Sequence, residues 1–400
     1  MTRTRTALLC AAALLASTLQ TAAAAATAVP DHQDRACAAT PKPRGKAREV
    51  LALVRAARKE LGLKAALVKV TVDGRELVTG ADGESLTDVP ATPAMHFRTG
   101  SVGIAFMGTV LLQLVQEHRA RLDDPVSRWL PDLPHGDKIT LRMLGDSTSG
   151  LHDYVTDPVF LKKLYADPWQ HWTPEEVVGI SLSHPLWYRP GTNWSYSHAN
   201  FVLLGRALEK ISKTPLDRLL RQRVMKPLKL RNTRSNDNAL IPPPVLHAYD
   251  DERGTYEEST YFNPSWTTAP GAILTQDICD LARSGQGIGS GELLSKRSFD
   301  TQLDPGTVGL GHATANCPAT VCLPMTEDFH FGIGVVVKNG WVVQNPSFFG
   351  YAAVMAYEPH QRLSIAVSTT VGPDAPEGNT AQTITERIAD LLAPQYPLSG

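Results

Sequence analysis

The sequence predicts an α+β fold in which a mainly helical lobe is set between two strand-bearing ends, and three observations carry that prediction. Apolar–polar alternation appears soon after the N-terminal region, strand-like apolar runs recur late in the chain, and the stretch between them is helix-rich with proline-punctuated loops. At 400 residues the chain exceeds the about 250–300 at which a single core divides, so one large domain of two lobes is expected.

Taken in order, Arg3 and Arg5 precede an apolar run from Ala7 to Leu19, and the small residues Ala22 to Ala26 offer Ala-x-Ala cleavage sites. That pattern makes residues 1–28 a signal peptide and the protein a secreted one. The run is too short and wrongly flanked to span a bilayer, so no stable membrane anchor is expected. Residues 29–46, rich in Pro, Ala, Lys and Arg, read as a flexible leader before a domain over 47–395. Val50, Leu53, Val54, Ala57 and Leu61 recur at helical spacing, and Gly62 can end that helix. Val68, Val70 and Val72 then alternate with polar residues, Asp73-Gly74 supplies a turn, and Leu77 begins the return strand of a hairpin. Strand runs follow at Gly334–Val337, Val354–Tyr357 and Leu363–Val367, and a last helix carries Ile384, Ile388, Leu391 and Leu392. The α/β lobe is placed at about 47–98 and 268–395, and the helical lobe at about 99–267.

Hydrophobic residues make up 42% and charged residues 20%, with a formal net charge of −1. That is ordinary globular composition, and it offers no basic surface for nucleic acid. Past the signal four cysteines remain. Cys317 and Cys322 can close a small loop, whereas Cys279 reads as a buried apolar residue on a helix. Without a C-x-x-C pair or a nearby His pair no zinc site, and no other metal or cofactor, is expected.

The chemistry-bearing residues begin at Phe97-Arg98-Thr99-Gly100-Ser101-Val102-Gly103-Ile104 and run through an apolar stretch to Leu122-Asp123-Asp124-Pro125-Val126. Further blocks are Thr148-Ser149-Gly150-Leu151, Pro190-Gly191-Thr192-Asn193-Trp194-Ser195-Tyr196-Ser197-His198, Pro227-Leu228-Lys229-Leu230, Pro270 to Asp277 and Phe331-Gly332-Ile333-Gly334. In this order they resemble the class C β-lactamase and D-Ala-D-Ala carboxypeptidase family, over roughly residues 45–393. The resemblance implies a β-lactamase/penicillin-binding-like fold, an antiparallel sheet flanked by the terminal helices. It also implies an inter-lobe cleft with three catalytic motifs, Ser-x-x-Lys, Tyr-x-Asn and Lys/His-x-Gly.

This chain departs from all three motifs. Ser101 is present, but Ile104 stands where the Lys belongs. Tyr196 is present, but His198 stands where the Asn belongs. The third motif falls on Gln344-Asn345-Pro346, followed by Ser347, so the cation is gone and a proline brings bulk and removes a backbone donor. Two expectations follow. In one, the chain is a catalytically impaired homologue that binds a cell-wall peptide or small ligand in its cleft, with Ser101 capping a helix and Tyr196 packed. In the other, it is a rewired serine hydrolase or esterase in which Ser101 attacks, His198 and Tyr196 move the proton, and the N–H groups of Ser101 and Ser347 hold the oxyanion. Ile104, Gln344, Asn345 and Ser347 are then expected to line the ligand. His152-Asp153 reads as loop polarity, and Trp187, Tyr188 and Trp194 as groove lining or core packing.

Overall fold

The computed structural model describes residues 37–304 and 306–399; the proposed signal lies outside them. Helix α1 (Lys46–Glu60) buries Val50, Val54 and Ala57, and ends before Gly62, whose φ of +60° a side chain would resist. Strands β1 (Leu63–Val72) and β2 (Arg75–Leu86) form the expected hairpin; Asp73 and Gly74 both take positive φ, as a tight two-residue turn of this hand requires. Short strands β3 (Val89–Pro90) and β4 (Phe97–Arg98) lead into helix α2 (Val102–Gln116). The middle holds α3 (Leu141–Gly145), α4 (Pro158–Ala166), α5 (Pro174–Leu182), α6 (His198–Ser212) and α7 (Leu216–Leu220). Next come β5 (Arg234–Ser235), β6 (Tyr249–Asp250), β7 (Glu257–Glu258), β8 (Leu274–Gln276), α8 (Ile278–Gly289) and α9 (Lys296–Leu303). The chain closes with β9 (Phe329–Phe331), β10 (Val336–Lys338), β11 (Trp341–Gln344), β12 (Ser347–Phe348), β13 (Tyr351–Glu358), β14 (Leu363–Val371) and α10 (Thr380–Leu392).

The main sheet runs β3-β2-β1-β14-β13-β11-β10-β9, with β12 also on β13. Strands from both ends of the chain therefore meet side by side, Val68 opposite Val367, in antiparallel register. On one face α1 and α10 cover Val68, Val70, Ile365 and Val367. On the other, α8 and the buried helix α2 share a core with Leu67, Met355 and Ala366. Helix α2 can sit this deep because Gly103 and Gly108 let backbone approach: a Cβ there would stand 1.9 Å from the Ala272 carbonyl oxygen and 2.3 Å from that of Ile333. Its N-terminus is thereby fixed against both the loop before β8 and the loop before β10. Among the described residues no helix is long and apolar enough to cross a membrane.

Two sequence expectations change here. The leader is anchored from Cys37 onward: Cys37 is disulfide-bonded to Cys279, and the Thr40 N–H donates to the Thr79 carbonyl at 2.8 Å. Cys279 is accordingly a half-buried cross-link near the start of α8 and not a free apolar residue. Cys317–Cys322 closes its own loop as expected. The long link, between residues 242 apart, restricts the unfolded chain, and in the chain-entropy account it contributes up to about 5 kcal/mol. A Cys37→Ser/Cys279→Ser variant is expected to melt several degrees below the oxidised protein. An unchanged melting temperature would show that the link restrains little.

Candidate active site

Strand β4 pairs with β8, Phe97 opposite Gln276 and Arg98 opposite Thr275. The chain then turns through Gly100, at φ +38°, into α2, so Ser101 stands at the mouth of that helix. Arg98 anchors the turn from below. Its Nη2 donates to the carbonyls of Ala239, Thr260 and Phe262 at 2.8–3.4 Å, and burial pulls the guanidinium down to about 10. Ser101 occupies the N-cap position but its side chain makes no capping bond. Its hydroxyl lies near enough to the Tyr196 phenol to favour that group's ionised form slightly, and with no capping bond made the capping role expected for Ser101 is not what the structure has.

Tyr196 lies among Phe201, Phe331 and His198, with ring centroids 5.6, 5.9 and 5.0 Å away. Burial first, and the negative charge of Asp153 second, push its phenol well above the usual tyrosine range, against a smaller opposing effect of Ser101. A phenol so placed stays protonated at neutral pH. It can pass a proton on but not hold the negative charge of a free base.

His198 is the first residue of α6, and its imidazole is held by a carboxylate. Nδ1 lies 3.0 Å from both Asp153 oxygens, and the His198 backbone N–H donates to Asp153 Oδ1 at 3.2 Å. Both side chains are mostly buried, 19% and 12% exposed. A carboxylate accepts only, so in a neutral ring Nδ1 is the nitrogen that carries the proton and Nε2 the one left with the lone pair. Nε2 has no hydrogen-bond partner among the described residues. Asp153 therefore does more than the loop polarity expected of it. Its position is fixed by its neighbours: Ser181 and Ser197 both donate to the His152 carbonyl, at 2.5 and 2.8 Å. The His152 ring stacks between Trp187 and His184, where burial holds it neutral, down to about 4. A further buried network ties the 147–149 loop to α6: Ser149 Oγ donates to Asn200 Oδ1 at 2.5 Å, and Asn200 Nδ2 to Ser147 Oγ at 2.9 Å. Trp194 is core, its indole N–H donating to the Asp146 carbonyl at 2.9 Å.

The four residues expected to line the ligand fare differently. Ile104 is 1% exposed within the main core, and its carbonyl lies 2.6 Å from where a Cβ on Gly334 would be. It fills the place of a base with packed hydrocarbon and lines no cleft. Gln344 is buried too, its amide donating to the Gly334 carbonyl at 2.6 Å. Asn345 and Ser347 follow from strand register. Gln344 pairs with Met355 and Ser347 with Ala352, a single register, so β11 and β12 are one strand interrupted at Asn345-Pro346. Side chains at 341 and 343 face the α1/α10 core, so those of Asn345 and Ser347 point the same way, opposite to Gln344, Pro346 and Phe348. Neither Asn345 nor Ser347 offers its side chain to Ser101.

Their backbone is another matter. The Ala353 N–H donates to the Pro346 carbonyl at 2.9 Å. In an antiparallel pair such a residue directs both its backbone groups at the partner strand, and its two neighbours direct theirs away. The donor that Pro346 lacks would thus have faced β13, not the substrate. The Ser347 N–H faces the outer edge. Pro346 and Phe348 lie directly on the Gly100-Ser101 turn, since a Cβ on Gly100 would stand 2.7 Å from Pro346 Cβ and 3.0 Å from the Phe348 ring. Two N–H groups consequently flank the site: that of Ser101, at the open end of α2, and that of Ser347. For metals, one acidic-and-sulfur group occurs among the described residues, Cys37, Asp277 and Cys279, and both its sulfurs are spent in the disulfide.

Comparison with known proteins agrees with the fold. The β-lactamase family profile matches residues 50–389. The putative penicillin-binding protein PbpX of Bacillus subtilis (strain 168) is 25% identical over 227 residues, which are 56% of this chain and 54% of that protein. Penicillin-binding protein 4* of the same strain is 24% identical over 293 residues, 68% of this chain and 60% of that one. The chain thus spans somewhat over half the length of these relatives. A crystal structure of a D-stereospecific amidohydrolase from Streptomyces sp. superposes with a TM-score of 0.71 at 26% identity, covering 87% of this chain and 99% of that one.

Proposed function

The chain belongs to the β-lactamase family, and from that premise we propose that it is an exported serine hydrolase homologue, catalytically impaired for penicillin-type turnover, that cleaves simple esters slowly at Ser101. The observation that carries this is the imidazole of His198, held by Asp153 at 3.0 Å and set edge-on against Tyr196, whose phenol feels the Ser101 hydroxyl. Ser101 Oγ attacks the acyl carbon while its proton moves by way of the Tyr196 hydroxyl toward the neighbouring His198, whose unpartnered Nε2 takes it once the bound substrate has brought phenol and imidazole into hydrogen-bond reach. The phenol gives one proton as it takes another and never ionises, as its raised pKa demands. The N–H groups of Ser101 and Ser347 receive the developing oxyanion. His198 then protonates the leaving alkoxide, and water releases the acyl group by the same route reversed. Amide and β-lactam substrates are harder. The buried Ile104 supplies no amine, and the Gln344 amide, already bonded to Gly334, offers no cation to a substrate carboxylate. The natural ligand is accordingly a small acyl compound or a cell-wall peptide lying in the cleft. Export is supported by the apolar, alanine-rich start of the sequence and by two disulfides, which persist outside the reducing cytosol.

Intact-mass measurement after incubation with a fluorophosphonate and, separately, with benzylpenicillin tests the proposal. The fluorophosphonate is expected to add once, and the adduct to vanish in Ser101→Ala and fall sharply in His198→Ala; benzylpenicillin is expected to leave no adduct. Absence of both adducts favours a binding protein without turnover, a reading to which the crowding of Pro346 and Phe348 on Gly100 lends support. Stoichiometric penicilloylation of Ser101 overturns the impairment.

A further inference from the structure

Asn379 stands at the N-cap of α10, where its Oδ1 accepts the Gln382 N–H at 2.9 Å. Its other end does something a cap does not need. Nδ2 lies 2.8 Å from the Asn345 carbonyl oxygen, 3.1 Å from that of Pro346 and 3.5 Å from that of Ala353. Those are the groups around the gap that Pro346 leaves in the ladder. In an uninterrupted strand, residue 346 would donate its N–H to the Ala353 carbonyl; proline cannot. We infer that the Asn379 amide bridges the interruption, donating to the Asn345 and Pro346 carbonyls with that of Ala353 at the limit of its reach, and is the positioning residue that keeps Ser347 in register, with its N–H aimed at the proposed oxyanion site. The inference rests on the proposed ester chemistry for its kinetic consequence, but not for its structural one.

The alternative is that Asn379 is only a helix cap. The two roles separate chemically. In Asn379→Asp the new carboxylate still accepts the Gln382 N–H and remains a good cap, yet it donates nothing and sets a negative charge against carbonyl oxygens. Pro346→Ala restores the backbone donor and makes the side-chain donor dispensable. Fixed donors to a forming oxyanion act on the transition state more than on the bound substrate, so their displacement lowers kcat and spares KM.

The test is a double-mutant cycle on the full chain, read with p-nitrophenyl acetate and by amide hydrogen exchange. Asn379→Asp is expected to lower kcat at least about 10-fold with KM within about twofold, and to speed exchange at Ala353. Pro346→Ala in that background is expected to recover most of both. Wild-type kinetics in Asn379→Asp with unchanged exchange at Ala353, or a double variant no better than the single, overturns the inference. Should the wild type fail to turn over the ester, the proposed function fails, and the exchange arm alone decides whether Asn379 holds the strand.

Discussion

Replacing Asp153 by asparagine is expected to slow cleavage of p-nitrophenyl acetate by about 10²–10⁴-fold, the range that a positioned general base contributes. The substitution keeps size and shape, and an asparagine oxygen can still accept the His198 and Val155 backbone N–H groups that Asp153 now accepts at 3.2 Å. It cannot do for the ring what a carboxylate does. The carboxylate compels Nδ1 to carry the proton and so leaves Nε2 basic, whereas an amide can turn its NH2 to Nδ1 and favour the opposite tautomer. In the proposed mechanism it also removes the negative charge that stabilises the imidazolium formed as Ser101 loses its proton. The expected signature is a fall in kcat, KM within about threefold, and a melting temperature close to wild type. Asp153→Glu should retain more activity than Asp153→Asn. Ester turnover within twofold of wild type in Asp153→Asn would remove His198 from the mechanism, because nothing else among the described residues fixes its tautomer.

Why Asp153 escaped the sequence while Ser101 and Tyr196 did not is a matter of what local pattern encodes. Ser101 sits in Phe97-Arg98-Thr99-Gly100-Ser101 and Tyr196 in Pro190 to His198, short blocks through which the resemblance to the family is carried, so each is reachable within ten residues of chain. Likewise Val68 and Val70, alternating before Asp73-Gly74, announce a half-buried hairpin, and Val50, Val54 and Ala57 a helix face. The Asp153–His198 pair has no such signature. It exists because Ser147 and Ser149 bind Asn200, and Ser197 binds the His152 carbonyl, folding two loops 45 residues apart onto the start of α6. The Cys37–Cys279 link is hidden for the same reason. Pro346 is subtler. Sequence shows that a donor is lost, but only register shows which way that donor would have pointed. The answer moves the consequence from the oxyanion site to the neighbouring strand.

The second large effect concerns Ile104, which stands where the resemblance implies a lysine. Ile104→Lys, alone or with Gln344→His, is expected to destabilise the fold by several kcal/mol and to leave β-lactam turnover absent. Ile104 is 1% exposed and belongs to the main apolar core. An ammonium placed there needs acceptors, and the nearby Gly334 carbonyl is already engaged by Gln344. Unpaired, the amine sheds its proton, as buried lysines do, and the core loses the branched side chain as well. Changing Gln344 to His at the same time frees the Gly334 carbonyl but also leaves it without its present donor, which adds a cost of about 1–3 kcal/mol where it stays unpaired. Urea denaturation reads the stability and a chromogenic cephalosporin reads the turnover. If the variant instead turns over the cephalosporin with an unchanged urea midpoint, the Ile104 site opens readily to the cleft. The impairment would then lie in two side chains and not in the packing around them. The expected failure places it in the packing: α2 is locked by the close approaches at Gly103 and Gly108, and a core settled around isoleucine at one turn past Ser101 has no room in which a lysine can stay charged.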